Sequence, residues 1–202
     1  MRNVGIMGGT FNPIHIGHLI IAERAREQFH LDEVLFMPSG MPYMKSENDM
    51  LPKDIRTEMT RLAIEDNPFF DISTIEVDRE GKTYTYETLE QLRKNNESTE
   101  YYFIMGADSL WKIEDWKEPQ KIFANCHVLA AVRENRSQAE MEEQVAYLKE
   151  KYNASILLLE SSDIEISSTM IRNMVRDGES IRYLVPEAVY DYIIKNKLYK
   201  CD

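Results

Sequence analysis

The sequence predicts an α/β fold with a doubly wound, mostly parallel sheet. Short apolar runs alternate with amphipathic helical patterns along nearly the whole chain of 202 residues, which is typical of parallel strands joined by helices. Two of the apolar runs, at 3–7 and 101–105, end directly in glycines, Gly8-Gly9 and Gly106. Ligands bind such sheets at the carboxyl ends of the strands, where the winding direction reverses. We therefore expect a Rossmann-like sheet of order 3-2-1-4-5, with a binding crevice between these glycines.

The first unit is predicted to be the strand at 3–7, a glycine loop and a helix. Gly8 and Gly9 carry no Cβ, so the backbone can turn tightly there and approach a ligand. The helix is indicated by apolar residues at helical spacing, namely Ile21, Ala22, Ala25 and Phe29. Its unpaired N–H groups and positive dipole end form a site suited to phosphate.

Two histidines, His15 and His18, stand where this loop enters the helix. They are three residues apart, so both imidazoles can lie on one face. The loop is neither a Walker loop nor a dinucleotide loop, because both of those glycine spacings are missing. One alternative is a helix start without a ligand. Another is a zinc pair, but two histidines are half of a tetrahedral site and no Cys/His cluster supplies the rest. The pattern favours nucleotide binding.

The second strand, at 33–38, leads into a polar loop at 39–51 that contains Lys45. This loop is long for a strand-to-helix connection and is therefore a candidate functional loop. Pro52 suits the first position of a helix that runs to about Asp66. The apolar stripe of that helix is predicted to be Ile55, Met59, Leu62 and Ala63.

The middle of the chain continues the alternation of strands and helices. Residues 70–77 alternate as a third strand, and Thr85 is the candidate N-cap of the next helix. The central strand at 101–105 is followed by two tryptophans, Trp111 and Trp116. One is expected in the core, and the other can stack on a flat ring. The remaining predicted elements are a helix at 120–125, a strand at 127–133 that ends in Arg133, an acidic helix at 137–152 and a strand at 155–159.

A second informative stretch, at 166–172, opens the C-terminal helical segment. Ser167 is a candidate N-cap, and the hydroxyls of Ser168 and Thr169 lie beside free backbone N–H groups. Arg172 follows one turn later, and Gly178 fits the C′ position. The stretch is either a well-capped helix or a second phosphate cradle that faces the first. Pro186 then opens a last helix at 187–195.

Composition restricts the class of protein. With 43% hydrophobic and 29% charged residues, the chain resembles an ordinary globular protein. No apolar run could span a bilayer or serve as a signal peptide, so we expect a cytoplasmic protein without a membrane partner. A net charge of −11 argues against a broad nucleic-acid surface. Cys126 and Cys201 indicate neither a disulfide framework nor a metal knuckle.

The length fits a single domain over 1–202, with 167–202 as a C-terminal helical subregion. Neither an internal repeat nor a linker is visible in the sequence. The oligomeric state stays open, with a homo-oligomer among the outcomes.

With both phosphate-binding stretches in hand, the chain resembles the bacterial nicotinate mononucleotide adenylyltransferase family of the nucleotidylyltransferase superfamily. The resemblance covers almost the whole chain. It rests on the His-x-Gly-His motif within 8–18, Lys45, Tyr84-Thr85, the segment 106–108, Trp116-Lys117 and the segment 166–172. The resemblance implies that the glycine between the two histidines, Gly17, lets the nucleotide pack against the helix.

The resemblance implies transfer of AMP from ATP to nicotinate mononucleotide, which gives deamido-NAD and pyrophosphate. Mg²⁺ is expected on the ATP phosphates, with no metal site of the protein's own. The implied catalytic residues are His15, His18, Lys45 and Arg172. The implied ATP-binding residues are Gly8, Gly9, Thr10, Phe11, His15, His18, Gly106, Asp108, Arg133, Ile166, Ser167, Ser168, Thr169 and Arg172. The implied mononucleotide-binding residues are Asn12, Lys45, Tyr84, Thr85, Trp116 and Lys117.

Two departures from the family pattern stand out. The family often has Asp where this chain has Asn12, and His-Lys where it has Met44-Lys45. N–H donors at Tyr84-Thr85 suit a ring carboxylate better than an amide, with Glu87 as the nearest acid. The alternatives are another small adenylyl- or cytidylyltransferase, such as one acting on phosphopantetheine, and a non-catalytic nucleotide-binding regulatory module.

Overall fold

The computed structural model describes residues 1–42, 50–132, 138–160 and 164–200. The strands are β1 Arg2–Gly9, β2 Glu33–Pro38, β3 Met41–Pro42, β4 Phe70–Ile72, β5 Lys82–Thr83, β6 Thr99–Gly106, β7 His127–Ala131 and β8 Ile156–Leu159. The helices are α1 Ile16–Gln28, α2 Lys53–Ile64, α3 Thr85–Asn95, α4 Ala107–Trp111, α5 Pro119–Asn125, α6 Gln138–Tyr152, α7 Ser168–Arg176 and α8 Glu187–Lys195.

The central sheet has six strands in the order β4-β2-β1-β6-β7-β8, and every pairing in it is parallel. Counted along the chain, this is the order 3-2-1-4-5 with a sixth strand added at the edge. The predicted doubly wound sheet is therefore confirmed. Strands β3 and β5 form a second, two-stranded sheet that is not hydrogen-bonded to the central one. The sequence did not indicate this sheet.

Both faces of the sheet are covered by helices. One apolar core joins α1 and α2 to the C-terminal helices α7 and α8, through residues such as Ala22, Met59, Ile171 and Val189. The other joins α3, α4, α5 and α6, through residues such as Leu89, Leu110, Phe123 and Met141. Among the helices that the structure describes, none has the length and apolarity to cross a membrane.

The glycines after the first predicted strand belong to β1 itself. Gly8 and Gly9 remain in register with Met37 and Pro38 of β2, so the loop begins only at Thr10. Neither glycine has a positive φ, and the predicted tight turn is wrong. A Cβ on Gly9 would lie 2.8 Å from the Phe11 ring. Glycine is needed at this position because the Phe11 side chain packs against the strand.

Other predicted bounds also change. Strand β4 ends at Ile72, because a turn follows in which the Asp78 N–H donates to the Thr74 carbonyl at 2.8 Å. Tyr84, not Thr85, is the N-cap of α3, and Pro52 is the N-cap of α2, which ends at Ile64 before the predicted limit. Helix α4 and the 3-10 turn at Ile113–Asp115 were not predicted, and the predicted ends Arg133 and Ser137 lie outside the described residues.

The caps of α7 and the bounds of α8 agree closely with those predicted from the sequence. The Ser167 hydroxyl accepts from the Met170 N–H at 3.1 Å, as predicted for an N-cap. Gly178 follows α7 with a φ of +76°, and the N–H of Glu179 reaches back to the Met174 carbonyl at 2.8 Å. This is the Schellman ending that glycine favours. The bounds of α8 are the predicted ones.

A buried cation in α2 ties several segments together. The Arg56 side chain is 1% exposed and forms no ion pair with a described carboxylate. Its guanidinium donates to four backbone carbonyls, those of Thr10 at 2.6 Å, Ser39 at 2.8 Å, Gly40 at 2.9 Å and Leu51 at 3.0 Å. Burial lowers its pKa from the ordinary arginine value. Arg56 thus fixes the loop after β1 against the loop after β2.

We predict that Arg56→Met lowers the free energy of unfolding by about 2–4 kcal/mol, because four inward-facing carbonyls lose a charged donor. Arg61 lies in the same helix, and its side chain is 55% exposed in a single ion pair with Glu58. Arg61→Met should change stability by less than about 0.5 kcal/mol. Urea unfolding followed by circular dichroism measures both. Similar small changes in the two variants would contradict the role given to Arg56.

Candidate active site

Two adjoining cavities open at the carboxyl ends of the central strands. The β2-side cavity, of about 340 Å³, is lined by Met37 and Ser39 at the end of β2 and by the start of α3. The β6-side cavity, of about 270 Å³, is lined by the end of β6 and the start of α4. The two share Gly8, Phe103, Ser109 and Trp116 as walls. The predicted crevice between the glycines of β1 and β6 is therefore present.

The structure brings part of the predicted site to these cavities. Gly8, Gly9, Thr10, Thr85 and Trp116 line the β2-side cavity, and Gly8, His18, Gly106, Asp108 and Trp116 line the β6-side cavity. Ten other predicted residues line neither, namely Phe11, Asn12, His15, Tyr84, Lys117, Ile166, Ser167, Ser168, Thr169 and Arg172. Lys45 and Arg133 lie outside the described residues.

His15 and His18 form a stacked pair. Their ring centroids are 3.7 Å apart, with planes at 28°. The His15 N–H donates to His18 Nδ1 at 3.2 Å. Because Nδ1 accepts, the proton of the neutral His18 ring belongs on Nε2. His15 is 6% exposed and packs against the His18 ring from the protein interior. His18 lines the β6-side cavity, so it is the member of the pair that can donate to a ligand there.

The glycine between the histidines makes room for His15. A Cβ on Gly17 would lie 3.1 Å from His15 Nδ1 and 3.3 Å from its Cε1. A larger residue would therefore push the imidazole away from the first turn of α1 and from its stack on His18. Glycine at this position is therefore explained by the His15 ring, and the expectation that it also lets the nucleotide pack against the helix stays a prediction.

The start of α1 is less open than the sequence indicated. The Ile16 N–H donates to the Leu184 carbonyl, and the His18 N–H to the His15 carbonyl, both at 2.9 Å. The expectation that these N–H groups are unpaired is wrong. The side chain of His18 adds a further hydrogen-bond donor at this helix start.

The second predicted phosphate stretch contacts the first directly. The Ser168 hydroxyl donates to the Pro13 carbonyl at 2.8 Å. The Arg172 guanidinium donates to the Asn12 carbonyl at 2.8 Å and to the Thr169 hydroxyl at 3.2 Å. Helix α7 is therefore fastened to the loop after β1, and the expected open cradle is partly occupied by the protein's own carbonyls.

Asn12 and Tyr199 form a contact that the sequence did not indicate. Asn12 is 5% exposed, and its Oδ1 accepts from the Tyr199 hydroxyl at 2.9 Å and from the Leu51 N–H at 3.4 Å. The two partners are 187 and 39 residues away along the chain. The Asn12 side chain is thus used in holding the loop, which leaves it less available to a ligand than expected.

Glu76, Ser39 and Thr83 line the β2-side cavity and were also missed. Glu76 was placed inside a predicted strand, where nothing marked it as functional. Burial raises the pKa of its carboxyl, against the opposing effect of nearby threonine hydroxyls. The hydroxyl of Thr88 donates to its Oε1 at 2.9 Å. The cavity therefore contains a carboxyl group as well as donors.

Trp116 stands between the cavities. Its ring contacts Phe103 edge to face, with centroids 6.1 Å apart and planes at 90°. Trp116 and Trp111 are both half-buried and pack against the core of α3 to α6, so neither is fully buried, as the expected core tryptophan would be. The placement of Trp116 on both cavity walls leaves a flat aromatic surface beside any ligand held there.

Comparison with known proteins assigns the chain to a family. The family model for cytidylyltransferase-like proteins matches residues 6–174. A protein of Lachnoclostridium phytofermentans named "Probable nicotinate-nucleotide adenylyltransferase" is 48% identical over 199 residues, which cover 98% of this chain and 100% of the relative. The chain belongs to the nicotinate-nucleotide adenylyltransferase family.

Further members of the nicotinate-nucleotide adenylyltransferase family agree with this assignment. A Clostridium acetobutylicum relative of the same name is 43% identical, over 98% of this chain and 100% of its own length. Among solved structures, Plasmodium falciparum nicotinic acid mononucleotide adenylyltransferase complexed with NaAD superposes with a TM-score of 0.81 at 19% identity. That match covers 98% of each chain and shows the same fold.

The Asn12 contact generates a prediction about pH. Burial raises the pKa of the Tyr199 phenol above its ordinary value of 10.0. Above that pH the unfolded chain loses this proton and the folded chain keeps it, so stability is complete below pH 10 and falls as the pH rises. Between pH 8 and pH 11, Tyr199 should cost the wild type about 1.4 kcal/mol of unfolding free energy. The Tyr199→Phe variant should not show this part of the loss.

Tyr183 provides a matched control, because it shares a positive φ with Tyr199 but is 89% exposed. Tyr183→Phe should leave the fall unchanged. Chemical denaturation of the three proteins at each pH measures it. A fall of equal size in wild type and Tyr199→Phe would show that Tyr199 is not buried as described.

Proposed function

We propose that the chain transfers AMP from ATP to nicotinate mononucleotide and releases deamido-NAD and pyrophosphate. The observation that carries this proposal is the pair of cavities that meet at Gly8 and Trp116, with His18 on the wall of one of them. Two substrates held in adjoining cavities can react directly. The relatives at 48% and 43% identity, named for this activity, support it along the full chain.

We assign the β6-side cavity to ATP and the β2-side cavity to the mononucleotide. Gly106 and Asp108 stand at the adenosine half, and Thr85 and Trp116 at the pyridine half. The first N–H groups of α3 suit the ring carboxylate, and Trp116 covers the ring by stacking. The Plasmodium structure, complexed with NaAD, has the same fold.

The reaction needs no covalent intermediate. An oxygen of the mononucleotide 5′-phosphate attacks the α-phosphorus of ATP in line, a P–O bond forms, and the bond to the β-phosphate oxygen breaks as pyrophosphate leaves. Catalysis then consists of positioning and charge stabilisation. In this proposal the Nε2–H of His18 donates to an α-phosphate oxygen, and His15 holds its ring in place. The family resemblance adds Lys45 and Arg172 as the cations that neutralise the leaving pyrophosphate, although Arg172 lines neither cavity and is bound to the Asn12 carbonyl.

Mg²⁺ is proposed to arrive with ATP. The described residues bring no three His, Cys, Asp or Glu side chains together as a metal site, and the described wall of the β6-side cavity offers one carboxylate, Asp108. This donor set fits an ion held mainly by substrate phosphates and waters. When bound there, Mg²⁺ would neutralise charge on the triphosphate.

The function is tested by pyrophosphate release from ATP with a panel of acceptors. We expect release with nicotinate mononucleotide and none with phosphopantetheine. For the nicotinamide mononucleotide, kcat/KM should be about 10- to 100-fold lower, because an NH₂ group would face the N–H donors of α3. Release that requires phosphopantetheine would identify a different transferase. ATP binding without any turnover would identify a regulatory module, and equal use of acid and amide would refute the donor site.

His18→Ala should reduce kcat by about 10²–10³, the effect of losing one donor to a transition-state oxygen. The KM for ATP should change far less. His30 is an exposed histidine with a positive φ of 50°, so His30→Asn is a control that tolerates this backbone and should keep full activity. Near-normal kcat in the His18 variant would remove His18 from the mechanism.

A further inference from the structure

Ser39, Glu76 and Thr83 are among the polar residues that line the β2-side cavity and have no role so far in the proposed reaction. Ser39 is 8% exposed and its hydroxyl has no hydrogen-bond partner among the described residues. Thr83 is 4% exposed, and its hydroxyl lies close enough to Glu76 to lower the pKa of that carboxyl, but outside hydrogen-bond geometry with any described residue. Buried hydroxyls are normally paired. Their position in a cavity wall, beside Glu76, suggests that a ligand supplies the missing partners.

The three side chains form one patch, the Ser39–Glu76–Thr83 cluster. The Ser39 N–H donates to the Gly9 carbonyl at 2.8 Å, which places the cluster next to the end of β1. A Cβ on Gly40 would overlap the carbonyl oxygen of Glu76 and lie 3.2 Å from Thr83 Cγ2. The backbone after Ser39 is therefore packed directly against Glu76 and Thr83, and glycine is required for this close approach.

The cluster lies between the two ends of the proposed ligand. On one side Ser39 adjoins Gly9, which lines the cavity with Thr10 at the phosphate end. On the other side Glu76 accepts from Thr88 in the first turns of α3, close to Thr85 at the ring end. The part of a mononucleotide that joins phosphate to ring is the ribose.

The chemistry of Glu76 supports the same assignment. Its carboxyl accepts a hydrogen bond from Thr88, and the Thr83 hydroxyl and the positive charge of Arg79 also act on it, but no described residue forms an ion pair with it. An ionised carboxylate only accepts hydrogen bonds. At neutral pH the 5′-phosphate and the ring carboxylate of nicotinate mononucleotide carry no strong donors. The ribose hydroxyls are its only O–H or N–H donors.

We propose that Glu76, with the hydroxyls of Ser39 and Thr83, binds the ribose diol of the mononucleotide. This inference rests on the proposed function. The carboxylate accepts from one or both ribose hydroxyls, and the two side-chain hydroxyls complete the network. Glu76 is then a specificity residue that selects ribonucleotides over deoxyribonucleotides. Its negative charge also repels the ring carboxylate, which therefore binds at the α3 end of the cavity.

The test combines a variant with altered substrates. Wild type should use 2′-deoxy or 3′-deoxy nicotinate mononucleotide with a kcat/KM about 10- to 100-fold below the ribonucleotide, the effect of one charge-assisted hydrogen bond. Glu76→Ala should lose a similar factor with the ribonucleotide and then use ribo and deoxy substrates about equally. The KM for ATP should be unchanged in both proteins.

Two further variants complete the experiment. Glu76→Gln preserves an acceptor for Thr88, so it guards against misfolding, and it should lose several-fold with the ribonucleotide because its bond to the diol is neutral. Glu80→Ala removes an exposed acid from the same segment and should match wild type. Thermal unfolding confirms that each variant is folded.

The outcomes separate this inference from the function it rests on. Persistent discrimination against deoxy substrates in the Glu76 variants, or a change confined to the acid–amide ratio, would overturn the ribose assignment and leave the transferase activity standing. A wild-type protein that does not use nicotinate mononucleotide at all would overturn the proposed function itself.

Discussion

The buried guanidinium of Arg56 is the constraint on which the site depends. It holds the carbonyls of Thr10, Ser39, Gly40 and Leu51 at 2.6–3.0 Å, so the loop after β1, the loop after β2 and the segment before α2 converge on one planar group. Lysine could not replace it, because an ammonium lacks the fixed fork of donors. Arginine remains charged even when burial lowers its pKa. The loop after β1 therefore rests on a permanent positive charge, which favours the binding of phosphate beside it.

The His-x-Gly-His motif acts as a folded unit. Gly17 admits the His15 ring to the first turn of α1, the ring stacks on His18, and the His15 N–H selects the His18 tautomer. Each residue has a role that depends on the other two. In the proposed mechanism this unit presents one oriented donor, the Nε2–H of His18, to a phosphate, and the surrounding loops determine which substrate is held.

Local patterns were sufficient to predict the sheet order and the C-terminal caps. Strand glycines, Ser167 and Gly178 each act through neighbours in sequence, so their effect is visible in a short window. Arg56, Glu76 and Tyr199 could not be recognised, since their partners lie up to 187 residues away. The same limit explains the wrong strand end after Ile72, where an alternating pattern continued but a Thr74–Asp78 turn ended the pairing.

The contacts between the loop after β1 and the C-terminal segment affect the order of assembly during synthesis. Pro13 and Asn12 are bound by Ser168 and Arg172, which are 155 and 160 residues later, and Asn12 also by Tyr199. The ribosome makes the histidine motif first and the residues that fasten it last. The nascent sheet can therefore pair before the loop after β1 is held, and the contacts of that loop become complete only when residue 199 has left the ribosome. Such non-local closure slows folding, and it leaves the loop after β1 unfastened until nearly the whole described fold is in place.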